Sequence, residues 1–523
     1  MATLPPSRAL ARPALLLSFL SLACNNPPPP TTPDLPQVTL SVTEPNAVGS
    51  SFKLSIAVSG CEQVRSLEVL DNNALVKQVP YGGNPTAVEL AIGDLRFPRN
   101  ITLDLSLTAR VTCADGRSNI SQTQPATFFP VEEVVEPTPP NSQVVPDYFV
   151  VDGSGANASF IGCGREGNLS YLYKVPRSNP ANYQKLQMPI PCDVSTTITD
   201  RKPADTTGTR WVWTPLKGAF AINTSFKITA TSGRLIDSLT VAPDGNAFLI
   251  KGRSIQRLAP NGTSVWDLTE LGFAGEMLGE PFVKPGATAA DTTVLVPVWT
   301  QPQESDVLVK VGVLKYADGT PVGEPDEIEL TNDIPLVAFD DTGTVLYLSI
   351  QGPTAANVKA CAIGKASRCQ PETDTLLWIT EDLQGNMSAL VPYANGTRLA
   401  ALTTNRFWFL DVKSGLTSGR APINKDHLPL IPTGSLVTRF VQPGLGNSSI
   451  FYMFNSAART DSNPLPYPVE LVATDGAEKG ELYRYQVPGG SVYGALDDAG
   501  VLWLRIGPRL VKPFAPSWYR ERR

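Results

Sequence analysis

The chain holds a single histidine, His427, and that count constrains its chemistry more than any motif does. A multi-histidine metal site within the chain is excluded, and with it the common zinc hydrolase chemistries. A Ser-His-Asp triad has to use His427, and no G-x-S-x-G elbow supplies its nucleophile, so His427 reads as an ordinary loop residue. Seven cysteines are present, none as C-x-x-C, which leaves no basis for a zinc ribbon or a dithiol redox centre. The acidic pairs Asp340-Asp341 and Asp497-Asp498 resemble acid–base or calcium sites at first sight. Each lies just before a glycine, however, where Asp favours hairpin turns by tolerating positive φ and bonding its own backbone. No EF-hand spacing accompanies them. Gly364-Lys365-Ala366-Ser367 lacks the upstream glycine of a phosphate loop. Aromatic clusters at Trp211-Val212-Trp213, Phe407-Trp408-Phe409 and Phe451-Tyr452-Met453-Phe454 suit packing between sheets, with a carbohydrate or other ligand platform as the sharper alternative. No catalytic residue, metal ligand or cofactor is assigned.

The elements that must position these residues are strands. Of 523 residues, 48 are Pro and 41 Gly, while charged residues make up only 18%; Pro and Gly break helices and build turns. Hydrophobic residues at 42% allow a substantial core. The net charge of −6 and the lack of a basic stripe argue against nucleic acid as a partner. Over residues 37–130, segments such as Val38 to Val42, Phe52 to Val58 and Ile101 to Leu107 place apolar residues at every second position, the mark of a sheet with one buried face. About 95 residues with several such strands suit a β-sandwich. From 143 to 523 one shape recurs: an apolar strand, a tight turn with Asp or Asn near Gly, and a second apolar strand. The clearest turns centre on Gly245, Gly343, Gly396 and Gly500. Weaker ones at Asp291, Gly446, Gly208 and Gly155 fill the intervals of roughly 50 residues, a repeat that signals a β-propeller of seven or eight blades. The hairpin from Tyr493 to Leu504 is expected to close the ring against the first blade, around Tyr148 to Asp152. A proline-rich run, 131–142, reads as the linker between sandwich and propeller, and deletion of 37–130 is expected to leave the propeller folded.

The N-terminus has Arg8 and Arg12, then an apolar stretch from Pro13 to Ala23 that is too short to span a bilayer. Cys24 follows Ala23 directly. This pattern resembles the lipobox of bacterial lipoproteins, although Ser21 stands where leucine is favoured. The resemblance implies cleavage after residue 23, lipidation of Cys24 and export, with a membrane partner through the lipid anchor. Residues 24–36, with Pro27 to Pro30, form a stiff tether. Removing Cys24 leaves an even six, Cys61, Cys113, Cys163, Cys192, Cys361 and Cys369, as an oxidising compartment favours. Neighbour pairing, Cys61–Cys113, Cys163–Cys192 and Cys361–Cys369, keeps each bond within one expected unit. The run from Ser51 to Leu70 resembles bacterial immunoglobulin-like domains, and the hairpin repeats resemble propeller repeats in turn chemistry.

The fold class expected is thus all-β: a small immunoglobulin-like β-sandwich followed by a seven- or eight-bladed β-propeller. The expected function is a binding or scaffolding role for a cell-envelope lipoprotein, at the outer membrane or cell surface, with a protein or carbohydrate ligand at the propeller. Two alternatives stand beside it: a propeller-based enzyme, such as a quinoprotein dehydrogenase or a polysaccharide lyase or hydrolase working through carboxylates and tyrosines, and a structural spacer.

Overall fold

A computed structural model describes residues 34–43, 45–91, 94–95, 104–135, 149–193, 195–199, 208–303, 306–352, 355–365, 368–393, 398–403, 406–422, 436–441, 451–457, 469–474, 481–487, 492–506 and 509–513. Cys24 and His427 lie outside them. The described chain is all-β, with strands interrupted only by turns and short 3-10 segments.

The N-terminal part contains β1 (Gln37–Val42), β2 (Asn46–Gly49), β3 (Ser51–Ser59), β4 (Val64–Asp71), β5 (Ala74–Val79), β6 (Thr86–Ala91), β7 (Asp104–Cys113), β8 (Ser118–Ile120) and β9 (Gln124–Val135). One sheet runs β1-β3-β6; the facing one runs β9-β7-β4-β5, with β2 beside β9 and β8 beside β7. Period two decides the core: on β3, Phe52, Leu54, Ile56 and Val58 are buried while Lys53 is exposed. These side chains meet Leu67, Val69, Leu107, Val111 and Phe128 of the facing sheet in one cluster, with Phe52 and Phe128 tilted at 5.9 Å.

Seven further sheets follow among the described residues, together with an eighth set of strands that continues the sandwich sheet through β9, each an antiparallel meander. The first holds β10 (Phe149–Asp152), β11 (Ser159–Glu166), β12 (Leu169–Pro176) and β13 (Gln184–Gln187); the second β14 (Thr197–Ile198), β15 (Arg210–Thr214), β16 (Gly218–Ile222) and β17 (Ile228–Ser232); the third β18 (Ser238–Val241), β19 (Ala247–Lys251), β20 (Ser254–Leu258) and β21 (Ser264–Leu268). In the fourth, a divided first strand, β22 (Glu276–Met277) and β23 (Phe282–Lys284), pairs with β24 (Thr293–Gln303), followed by β25 (Asp306–Lys315) and β26 (Asp326–Thr331). The fifth has β27 (Val337–Phe339), β28 (Val345–Gln351), β29 (Ala355–Ala362) and β30 (Leu376–Ile379), with β31 (Leu383–Gln384) beside β29; the sixth β32 (Met387–Tyr393), β33 (Arg398–Thr403), β34 (Arg406–Asp411) and β35 (Thr417–Pro422). The seventh has β36 (Leu436–Val441), β37 (Phe451–Ala457), β38 (Val469–Thr474) and β39 (Glu481–Val487); the eighth β40 (Val492–Leu496), β41 (Leu502–Ile506) and β42 (Arg509–Pro513).

Alternation along each strand builds the stack, because neighbouring side chains enter opposite seams. Val212 packs towards the first sheet with Ile161 and Leu172, while Trp211 packs towards the third with Leu239 and Leu249. Phe248 and Ile250 then face Val294 and Val296 of the fourth, and Leu295 faces Leu346 and Leu348 of the fifth. Among the described side chains the second to fifth sheets are thus buried on both faces by their neighbours, the architecture of a β-propeller. The turns at Gly155, Gly208, Gly245, Asp291 and Gly343 fall between the first and second strands of the first five sheets, and that at Gly500 between β40 and β41; Gly396 and Gly446 lie outside the described residues. Gly245, Gly343 and Gly500 adopt φ of +84°, +64° and +74°, the left-handed region where a side chain is disfavoured.

The ring closes through the sandwich. Three strands of the eighth sheet come from the C-terminus, and the fourth is the second half of β9, with Val135, Val134 and Glu133 registered on Leu510, Val511 and Lys512. The first half of β9 pairs with β7. The segment expected as a linker over 131–142 is thus strand as far as Val135; residues 136–142 lie outside the described ones. Its prolines start at Pro137, and the preceding Val131, Val134 and Val135 supply strand-forming side chains. The sandwich core also takes in Leu502, Leu504 and Val511 of the eighth sheet. Sandwich and ring share one sheet and one apolar cluster, so the deletion expected to be harmless strips cover from the last blade.

Candidate functional site

The closing seam gathers several distinct interactions. Trp503 on β41 is fully buried and meets Phe160 edge-on at 4.9 Å, within a cluster that includes Phe149, Val151, Ala495, Leu510 and Val135. The Arg177 guanidinium lies over the Trp503 ring at 5.1 Å. Its Nε donates to Glu133 Oε1 at 2.7 Å, and a second, shorter bond reaches the other carboxylate oxygen. That hydrogen-bonded carboxylate holds the Arg177 pKa above its ordinary value, against the opposing effect of burial. Arg177 follows β12, so one side chain of the first sheet grips both β9 and β41. The Asp498 N–H donates to the Gly153 carbonyl at 3.1 Å, and Lys512 pairs with Glu132 at 2.7 Å.

Other seams are bridged by charge in the same manner. Between the first two sheets, Asp152 accepts from Lys174 at 3.2 Å and from Arg210 at 3.4 Å. Between the third and fourth, Arg257 stacks on Tyr316 at 3.4 Å and pairs with Asp244 at 3.1 Å; burial raises the Tyr316 pKa. Lys359 pairs with Glu329 at 2.8 Å between the fourth and fifth, both largely buried.

Of the aspartates singled out from sequence, Asp340 and Asp497 serve their own turns. Asp340 Oδ1 accepts from the Thr344 and Val345 N–H groups at 2.7 and 2.8 Å. Burial acts to raise the Asp340 pKa, but hydrogen bonds from Thr342 and these amides outweigh it and hold the carboxyl below its ordinary range. Asp341 is pushed upward, by burial first and then by the Asp340 charge; burial and both charges push Tyr347 up to about 12. Asp497 likewise accepts from the Ala499 and Val501 amides at 3.0 and 2.9 Å. Among the described residues no group of three or more His, Cys, Asp or Glu is gathered where a metal could be held.

The structure joins Cys61, in the turn between β3 and β4, to Cys113 at the end of β7, Cys163 to Cys192, and Cys361 to Cys369. Of the aromatic clusters, Trp211 is fully buried with its indole N–H on the Gly245 carbonyl at 2.9 Å, and Trp408 and Phe409 are buried. Trp211 and Trp408 pack between sheets. The side chains of Phe407 and of 451–454 lie outside the described set. Two features went unread in the sequence. One is a tyrosine cluster on the first sheet, where Tyr171, Tyr173 and Tyr183 lie 6.4 and 6.1 Å apart in sequence order and Lys185 sits 3.9 Å over Tyr171. The other is a cleft of about 230 Å³ between the first and second sheets, lined by Lys174, Pro176, Asn182, Gln184, Thr224 and Ser225. It is lined by hydroxyls and amides, and its one ammonium, Lys174, already pairs with Asp152 at 3.2 Å. The Tyr-x-Tyr spacing from Tyr171 was the available signal for the first; the cleft joins residues about 40 positions apart and had none.

No family model matches the chain, and no curated protein matches it. Solved structures similar to it include the Dos1 propeller, at 8% identity and TM-score 0.44, covering 73% of this chain and 94% of that one. BamB from Moraxella catarrhalis is similar at 12% identity and TM-score 0.41, with 73% and 100% covered. Hsv2 from Kluyveromyces lactis is similar at 10% and 0.37, with 61% and 95% covered. The propeller itself follows from the sheet order and the seams described above.

Proposed function

We propose that this chain is an exported, lipid-anchored protein of the bacterial cell envelope, in which an immunoglobulin-like sandwich acts as a rigid stalk for an eight-bladed propeller with a binding or scaffolding role. The observation that carries this reading is the continuity of β9, which passes from the sandwich straight into the last blade. A strand shared by two units leaves no hinge between them. The opposite pole of the sandwich receives the N-terminal segment: Arg117, in the turn after β7, donates to the Asp34 carbonyl, and Asn119 donates to the Pro36 carbonyl at 2.8 Å. β7 leads away from the β9 junction, since Asp104 stands beside Thr127. Ten residues of strand span roughly 30 Å. A lipid on Cys24 followed by the proline tether would then hold the propeller clear of the membrane, with its ligand a protein or a carbohydrate. No helix among the described residues is long and apolar enough to cross a membrane, so this reading places attachment in the lipid.

The test is fractionation of cells expressing the native chain and Cys24→Ser. The native chain should sediment with membranes and carry acyl groups on a mature N-terminal cysteine by mass spectrometry. The variant should be soluble. A native chain recovered soluble, with an unacylated N-terminus elsewhere, overturns the anchor.

A further inference from the structure

The outermost strand of every blade has one open edge, and exposed edges invite pairing with other chains. Four of these strands blunt that edge with charge among the described side chains: Lys185 on β13, Asp267 on β21, Asp326 and Glu327 on β26, and Glu132 and Glu133 on β9. β17 has no charge within its bounds, and it exposes no large apolar side chain either. β30 differs from all of them. The run Thr375-Leu376-Leu377-Trp378-Ile379-Thr380 is uncharged, and Leu377 and Ile379 are 50% and 48% exposed.

This strand is also held rigidly. Trp378 is buried and donates its indole N–H to the Val412 carbonyl at 2.7 Å. The Thr380 N–H donates to the Val358 carbonyl at 3.0 Å, which by strand alternation turns the Ile379 backbone groups to the open side. The Thr375 hydroxyl donates to the Arg368 carbonyl at 2.5 Å, next to the Cys361–Cys369 bond. Among the described residues β30 pairs only with β29. The register with β29 shifts at Leu377, so the open backbone groups that alternation fixes are those of Ile379, and an extended polypeptide can pair with them while placing side chains beside Leu377 and Ile379.

Charge indicates which polypeptide. Glu372 and Asp374 flank the strand on one side, Glu381 and Asp382 on the other, all exposed; Asp374 pairs with Lys365 at 3.2 Å, and the surround stays acidic through the other three. Antiparallel pairing with a second copy, centred on Trp378, sets Asp374 opposite Asp382 at both ends, and like charges directly opposite destabilise a pair. We infer that β30 is a docking edge for an extended segment of a partner protein, apolar at alternate positions and bearing Lys or Arg at its ends. This deepens the binding role proposed above by naming its surface and partner chemistry.

The experiment uses full-length chain carrying Cys24→Ser and two synthetic ten-residue probes. Both have an alternating valine and threonine core; one ends in lysines, the other in glutamates. Binding is followed by fluorescence anisotropy, so its outcome does not depend on whether Cys24 is lipidated. The lysine-ended probe should bind, more weakly at higher salt, and the glutamate-ended probe at least tenfold more weakly. Leu377→Lys and Ile379→Lys, both at exposed positions, should each weaken binding at least tenfold. Val265→Lys, on the corresponding strand of the third blade, should leave it unchanged. The double variant Glu372→Lys/Glu381→Lys, which leaves Asp374 and Asp382 to balance the new lysines, should abolish the preference between probes. Absence of binding to the lysine-ended probe, or equal binding by Ile379→Lys, overturns the inference. So does a native dimer that Ile379→Lys splits into monomers, because a second copy then occupies the edge.

Discussion

Replacing Trp503 by alanine tests whether the closing seam holds the ring together. The ring is fully buried, lies edge-on to Phe160 at 4.9 Å, and has the Arg177 guanidinium above it at 5.1 Å. Truncating a buried aromatic to alanine costs about 3–5 kcal/mol, from lost transfer energy and the cavity left behind. Against a typical net stability of 5–15 kcal/mol that is a large fraction. Arg177→Ala should cost less, about 1 kcal/mol, since its ion pair with Glu133 is partly exposed and its ring contact adds only a modest amount. The assay is urea denaturation followed by tryptophan fluorescence, with limited proteolysis under native conditions as the local readout. Loss at the seam should free β9 from β42, so Trp503→Ala should be cleaved between Val135 and Phe149 faster than the native chain. Trp211→Ala, which empties an equally buried site at another seam, should destabilise comparably without that cleavage. If Trp503→Ala loses less than about 1 kcal/mol, or if both tryptophan variants are cut alike, closure does not depend on this contact and the clasp argument fails.

Other consequences follow from the same structure. Removing the disulfides one at a time should cost about 4 kcal/mol for Cys61–Cys113, slightly less for Cys163–Cys192 and about 2.5 kcal/mol for Cys361–Cys369 on the loop-entropy relation, because their sequence separations are 52, 29 and 8; denaturation midpoints of paired Cys→Ala variants check the order. Glu329→Gln leaves the buried Lys359 ammonium without its carboxylate and should cost about 3–5 kcal/mol, whereas Glu329→Leu with Lys359→Met should recover much of that, measured in the same assay. Acid should destabilise the fold. The Asp340, Glu327 and Asp94 carboxyls are depressed in the folded state, so their contribution is complete above their ordinary values of 3.8, 4.5 and 3.8 and is lost as pH falls through the folded values. Asp341, raised by burial, opposes this trend. A denaturation midpoint that rises between about pH 5 and pH 3 contradicts the assignment. Deletion of 37–130 should expose Leu502, Leu504 and Val511 and give aggregation, read by light scattering.

Local pattern made much of the architecture legible in the sequence alone. Alternation in Phe52 to Val58 marked a half-buried strand, and Gly245, Gly343 and Gly500 marked turns, because those positions need positive φ and a short return. Such signals lie within a few residues and survive without tertiary context. The closing strand did not: Val131 to Val135 is followed by prolines, and its partners, Leu510 and Val511, stand almost 380 positions away, so nothing local tells a linker from a blade strand. The same holds for the charges that bridge blades. Asp152, Lys174 and Arg210 are ordinary residues in sequence and become a buried network only when two sheets stack and exclude water. β30 is the converse. Its uncharged run was visible as another apolar strand, yet only the finished ring decides that Trp378 turns inward while Leu377 and Ile379 stay in solvent on an open edge.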